Sequence, residues 1–218
     1  MDFEWSAMLD AMPALLQGAW STVLIAAVSL SLGMILGTVV GVVRAYAPKY
    51  LAFIAQIYVG LIRGTPMVVQ IMFVYFALPP LLGLRLTALT AGGIALTVNS
   101  SAYFSEIVRG GFLAVPRGLK EAGQAMGLPL HRIIVHIIGP VAFRRMVPAL
   151  GNQAIIGLKD TSLLIVIGVA ELTRAGQEIM TENYRAVETW TAVAIIYLAI
   201  ICTMAFIFRT IEKRTHLT

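Results

Sequence analysis

The chain has 218 residues, of which 59% are hydrophobic and 12% charged, and its mean hydropathy is +0.86. Soluble domains carry about 25% charged residues, so this is an integral membrane protein. The formal net charge of +5 does not indicate nucleic acid, because the cations gather at one membrane face, and the single cysteine, Cys202, excludes an internal disulfide.

Residues 1–18 mix Asp2, Glu4 and Asp10 with Phe3, Trp5, Met8, Leu9, Met12, Leu15 and Leu16. This is the pattern of an acidic amphipathic segment lying at an interface. It lacks the basic opening of a secretory signal, so no cleavage is expected. Trp5 and Trp20 suit an aromatic belt. The first span follows over residues 20–43, with Gly33, Gly37 and Gly41 at four-residue intervals on one face, a spacing that lets another helix approach closely. The apolar run 50–62 is too short to cross and reads as an elbow near the membrane surface. It ends at the RGTP of Arg63 to Pro66. Arg63 is expected at headgroup level, with Thr65 as cap and Pro66 as first-turn proline of a second span, 66–83, which Pro79 and Pro80 close.

The third span, 87–110, carries Asn99, Ser100, Ser101, Tyr103, Ser105, Glu106 and Arg109. Asn99, Tyr103 and Glu106 share one helical face, which is too polar to meet lipid. A cytoplasmic loop over 113–144 comes next, and at its centre Gly118 to Pro140 form a polar and basic island. Within it Glu121, Ala122, Gln124, Ala125 and Met126 suit a short helix, Gly127 a stop, and Pro129 confirms the end. The fourth span, 146–170, is interrupted by Lys159, Asp160, Thr161 and Ser162. A charge at mid-membrane costs about 2.5–3.5 kcal/mol, so Glu106, Lys159 and Asp160 need partners or a wet cavity. Helical neighbours do not face each other, so either the helix breaks at 159–160 or each charge finds its own partner. Glu106 is the natural candidate for Lys159, as a fold-stabilising ion pair or as part of a transport path. Residues 171–188 form an outer polar segment in which Gln177, Glu178, Glu182 and Arg185 face solvent or a docking protein. The last span is 189–208, followed by Arg209, Lys213 and Arg214.

The expected fold is therefore an all-α membrane protein of five transmembrane helices. A cytoplasmic C-terminus and an outside N-terminus put twelve of the sixteen Lys and Arg residues at the cytoplasmic face. There is no G-x-x-x-x-G-K-[ST] phosphate loop, no H-E-x-x-H and no Cys/His cluster, so no nucleotide, metal or catalytic residue is assigned. His131, His136 and His216 fall at the cytoplasmic face, where loop or partner contacts suit them better than a metal.

Spacing in the basic island carries a resemblance: Glu121-Ala122, Gly127 six residues after Glu121, Ile137 ten after Gly127, and Pro140 three after that. This resembles the EAA loop of ABC-importer permeases. With RGTPMVVQ, NSSAYFSEIVRGG, RRMVPALGN and KDTSLLIVIGVAELTRAGQEI, nearly the whole chain resembles the polar amino-acid branch of type I ABC importers, and within it bacterial glutamine permeases. Two positions depart: Gly123 stands where the family usually has alanine, and Gly139 where it usually has leucine.

The resemblance implies the type I permease fold, a bacterial inner membrane, and a membrane subunit importing a polar L-amino acid by alternating access. It implies a dimer of permeases, two ATPase subunits that bind ATP and Mg, and a periplasmic or lipid-anchored amino-acid-binding protein. It makes Glu121, Ala122, Gly123, Gly127, Leu128 and Pro140 the ATPase-coupling element. A zwitterionic substrate needs donors for its carboxylate and acceptors for its ammonium; Asn99, Tyr103, Glu106, Lys159, Asp160, Thr161 and Ser162 are the candidates, with interhelical packing as the competing role. A secondary transporter or an undriven scaffold or channel subunit is the alternative class, against which stand five spans without an internal repeat. The exact amino acid, and whether the second permease is another copy, stay open.

Overall fold

The computed structural model describes residues 4–216 and is helical throughout. In chain order the helices are α1 (Trp5–Tyr46), α2 (Lys49–Arg63), α3 (Met67–Leu82), α4 (Ala88–Leu113), α5 (Arg117–Ala125), α6 (Leu130–Ile167), α7 (Leu172–Asn183) and α8 (Ala186–His216). By length and apolarity α1, α6 and α8 can each cross a membrane, and a fourth crossing exists if the α2–α3 pair, bent by 102°, counts as one. At 26 residues α4 rises about 39 Å, long enough for a core of about 30 Å. Its run of polar side chains is what separates it from the three apolar helices.

The 42 residues of α1 form one unbroken helix of about 63 Å, so residues 5–18 of the expected interfacial segment continue directly into the helix of the first span. Ala11, Leu15 and Ala19 are buried in a cluster with Leu172 of α7 and Ala192, Val193 and Ile196 of α8, so packing continues the helix outward past the apolar core. Asp2 and Phe3 lie outside the described residues. Lower down, the glycine stripe seats α1 on α4: a Cβ on Gly37 would stand 2.6 Å from both Phe104 Cβ and Ser101 O, and one on Gly41 2.8 Å from Ser105 O. Phe104 then joins Ala26, Leu30, Met146, Leu150 and Leu158 in the main core.

Three details of the helices go beyond the expectation, although α3 keeps close to the expected bounds of 66–83. Helix α3 passes through Pro79 and Pro80 and stops at Gly83, whose φ of +65° is left-handed. A π-helical turn over Phe73–Ala77 precedes the prolines and lets the helix restart with them in its first turn. Helix α6 begins at Leu130, so the later part of the 113–144 stretch is helical and the Arg144-Arg145 pair rides on the same helix as the fourth span. Thr65 does not cap α3; its hydroxyl donates back to the carbonyls of Leu61 (3.0 Å) and Ile62 (3.3 Å) at the end of α2.

Candidate functional site

Two regions concentrate the polar chemistry. The first is α5, nine residues joined to α4 and α6 by short links. Its end is a Schellman motif: Gly127, at φ +73°, donates to Gln124 O (2.9 Å) and Leu128 N donates to Gly123 O (3.1 Å). Leu128 and Leu119 pack beneath the helix on the core that holds Val115, Ile133 and Ile138, while Glu121 and Ala122 are exposed. Gly123 is the buried exception, and a Cβ there would meet Ile133 Cγ1 at 2.9 Å and Ile137 Cδ1 at 3.2 Å. That contact accounts for glycine at this position. Gly139 likewise sits under a π turn, where a Cβ would lie 2.8 Å from Ile134 O. Pro140 is exposed near the start of the regular α-helical stretch that runs to Asp160.

The second region is a seam along α4. Glu106 accepts from three arginines: Arg44 of α1 at 2.8 Å, Arg63 of α2 at 3.2 Å and Arg109 of its own helix at 3.2 Å. The expected pair with Lys159 is therefore not formed. Helix register brings Arg44 alongside Glu106 through the close α1–α4 approach, and that register is a tertiary property. Arg63 also lies 5.4 Å from the Tyr103 ring centroid. One turn on, Asn99 donates to Gln70 Oε1 at 3.0 Å. Gln70 Nε2 in turn faces Ile62 O (2.6 Å), Thr65 O (3.0 Å) and Thr65 Oγ1 (2.9 Å), which satisfies the carbonyls exposed by the α2–α3 bend.

Lys159 and Asp160 mark the place where α6 changes from α-helix to a 3₁₀ turn over Thr161–Ile167, stopped by Gly168 at φ +74°. Lys159 is exposed and Asp160 half-buried, and among the described residues neither side chain makes an ion pair or hydrogen bond. Thr161 is fully buried and donates to Leu158 O at 2.7 Å, and Ser162 donates to Lys159 O at 2.7 Å. Of the seven pathway candidates, then, Asn99 and Glu106 are committed to neighbouring helices, Tyr103 supports an arginine, and Lys159 with Asp160 retains unspent charge. Gln70, Arg44 and Arg63 were not singled out as seam residues from the sequence. The one signal was polarity, an amide four residues into an apolar span and an arginine at each end of the elbow region.

At the opposite end Glu171 is fully buried. Its carboxylate caps α7 through Arg174 N (2.8 Å) and accepts from Tyr197 OH (3.0 Å) and the Thr22 hydroxyl (3.4 Å), tying α1, α7 and α8 together. Arg185 pairs with Glu4 at 2.5 Å and with Glu188 at 3.4 Å. No group of three or more His, Cys, Asp or Glu that would hold a metal occurs among the described residues.

Comparison with known proteins matches residues 29–217 to a family described as binding-protein-dependent transport system inner membrane component. The glutamine transport system permease protein of Escherichia coli K12 is 47% identical over 215 residues, 98% of each chain. The arginine transport system permease protein of Bacillus subtilis is 34% identical over 214 residues, again 98% of each. A crystal structure of an amino acid ABC transporter with histidines superposes with a TM-score of 0.91 at 32% identity, covering 98% of this chain and 100% of that one.

Proposed function

This chain belongs to the family of binding-protein-dependent transport system inner membrane components, and from that membership we infer that it forms the membrane pathway of an ATP-driven importer whose substrate is a polar L-amino acid, glutamine first. It is an ABC-importer permease for amino acids, resident in the inner membrane. It is not an enzyme: nucleotide binding belongs to a separate ATPase subunit, and a substrate-binding protein is the other partner of the family. The 47% identity to a glutamine permease over nearly the full chain carries the substrate.

Five crossings follow if α3 and α4 each span, with the N-terminus outside and the C-terminus in the cytoplasm. Two clusters support that topology: Arg44, Arg63 and Arg109 meet at one end, and Glu4, Arg185 and Glu188 at the other. In this arrangement two copies of the chain form the transporter, and α5 is the element that docks on the ATPase. Glu121 and Ala122 present its outer face, Gly123 and Leu128 seat it on Ile133, Gly127 turns the chain, and Pro140 aims the helix that returns to the membrane. Closure of the ATPase pair on ATP and Mg would draw the two α5 helices together and tilt the helices above.

Within the pathway, Lys159 would meet the substrate carboxylate and Asp160 the ammonium, because their charges are unspent while that of Glu106 is not. Ser162 and Tyr103 remain as uncharged contacts, Asn99 and Thr161 as supports of the wall. The test is uptake of labelled glutamine into vesicles holding the permease, its ATPase and the binding protein. Vanadate-sensitive uptake that requires both partners supports the reading. Uptake that persists without the ATPase refutes ATP-driven import, and preference for another amino acid refutes only the substrate.

A further inference from the structure

The arginine cluster on Glu106 has more donors than acceptors. Each guanidinium carries five N–H donors. Against three of them stand the two carboxylate oxygens of Glu106 and the Ser105 hydroxyl, 3.4 Å from Arg44 Nη1. Three cations against one anion leave two positive charges in surplus. Arg44 is the deepest, with its side chain 5% exposed, and its buried Nε has no acceptor. Arg63 and Arg109, at 44% and 35% exposure, form the open side of the same cluster. A surplus of partly buried charge is costly unless a counter-ion meets it.

Depth narrows what that counter-ion is. Arg44 lies two residues before the end of α1, and Arg109 four before the end of α4, which is about 3 Å and 6 Å of helix rise. Arg63 is the last residue of α2. All three therefore sit at or near helix ends, and in the five-span topology proposed above those ends come at the level of lipid phosphates. We propose that Arg44, Arg63 and Arg109 form a binding site for a phosphate-type oxyanion, supplied by the headgroup of an anionic phospholipid or by free phosphate. Guanidinium groups bind such oxygens in paired hydrogen bonds. Arg44 makes the back wall, Arg63 is steadied by the Tyr103 ring, and Glu106 holds the three side chains at one point so that a single tetrahedral anion can bridge them. Occupancy would reinforce the tie that Glu106 already makes between the ends of α1, α2 and α4.

Two substitutions move the prediction in opposite directions. Arg109→Gln removes one surplus cation and leaves Glu106 paired with Arg44 and Arg63; Glu106→Gln removes the competing anion. The full chain purified in detergent is titrated with inorganic phosphate against chloride at equal ionic strength, with thermal unfolding as readout. A parallel arm counts phosphatidylglycerol retained from bilayer discs of phosphatidylcholine with and without it, by native mass spectrometry. The expected result is stabilisation by phosphate, an apparent affinity about tenfold weaker in Arg109→Gln, and a tighter one in Glu106→Gln. Retention of phosphatidylglycerol that follows the same order identifies the lipid as a source, and a response to phosphate alone identifies the free ion. The proposal is overturned if phosphate acts no differently from chloride and no lipid is retained, or if Arg109→Gln binds like the wild type.

Discussion

Replacing Gly37 with alanine tests the α1–α4 seam directly. The new methyl would lie 2.6 Å from Phe104 Cβ and 2.6 Å from the Ser101 carbonyl oxygen, whereas carbon contacts are comfortable near about 3.5–4.0 Å. Neither neighbour can yield: Phe104 and Ser101 are fully buried, and one of the contacts is backbone. Relief requires the helices to part by about 1 Å, and overpacking of this kind costs about 1–3 kcal/mol. Alanine returns up to about 1 kcal/mol of helix propensity, so from a mid-range cost of about 2 kcal/mol the net loss is about 1 kcal/mol, or a fall in Tm of about 2–4 °C for a chain of this size. Gly60→Ala in α2 is the control, since a Cβ there meets nothing within 4 Å and only the propensity gain remains. Both are followed by thermal unfolding of the detergent-purified chain with size-exclusion readout. A Gly37→Ala protein as stable as the wild type, or a Gly60→Ala protein equally weakened, would refute the reasoning.

Lys159→Gln and Asp160→Asn should each abolish glutamine uptake while assembly and Tm stay near wild type, because neither charge is spent on another helix; a matching loss of Tm would make them structural instead. Glu121→Lys should leave Tm unchanged, the residue being exposed, and remove stimulation of the ATPase in reconstituted vesicles. Gln70→Leu strips the acceptor from Asn99, which is 7% exposed, and uncaps the α2–α3 bend, costing about 1–3 kcal/mol; unchanged thermal stability would show that the bend needs no lock.

Much of the architecture is legible from residue spacing. Glycines four apart predicted a close helix partner for α1, and α4 is there. The 50–62 run was too short to cross, and α2 is indeed a short helix joined to α3 by a sharp bend. Gly127 stops α5 because only a residue tolerant of positive φ completes the Schellman turn. What escaped the sequence depends on contacts between distant segments. No local signal says that α1 continues outward through Gly18, since the reason is Leu15 and Ala19 packing on α7 and α8. Arg144 and Arg145 suggested a loop, yet long side chains can reach polar surroundings from a helix, and Arg145 bonds the Ala114 carbonyl from within α6. The distant partners of Glu106 could not be read either, because Arg44 is 62 residues away and faces it only once the α1–α4 register is set.

The unbroken course of α6 has a mechanical consequence. It starts three residues past the Gly127 turn and carries Lys159 some 29 residues further along, a distance of about 44 Å at helical rise. A rod of that length works as a lever. A tilt of about 5° about its first turn sweeps position 159 sideways by roughly 4 Å, as much as the width of a substrate carboxylate with its contacts. If α5 couples to the ATPase as proposed, large rearrangement there is unnecessary at the level of the membrane: a small rotation at the base, delivered through nine residues, would present or withdraw a charge near the far end.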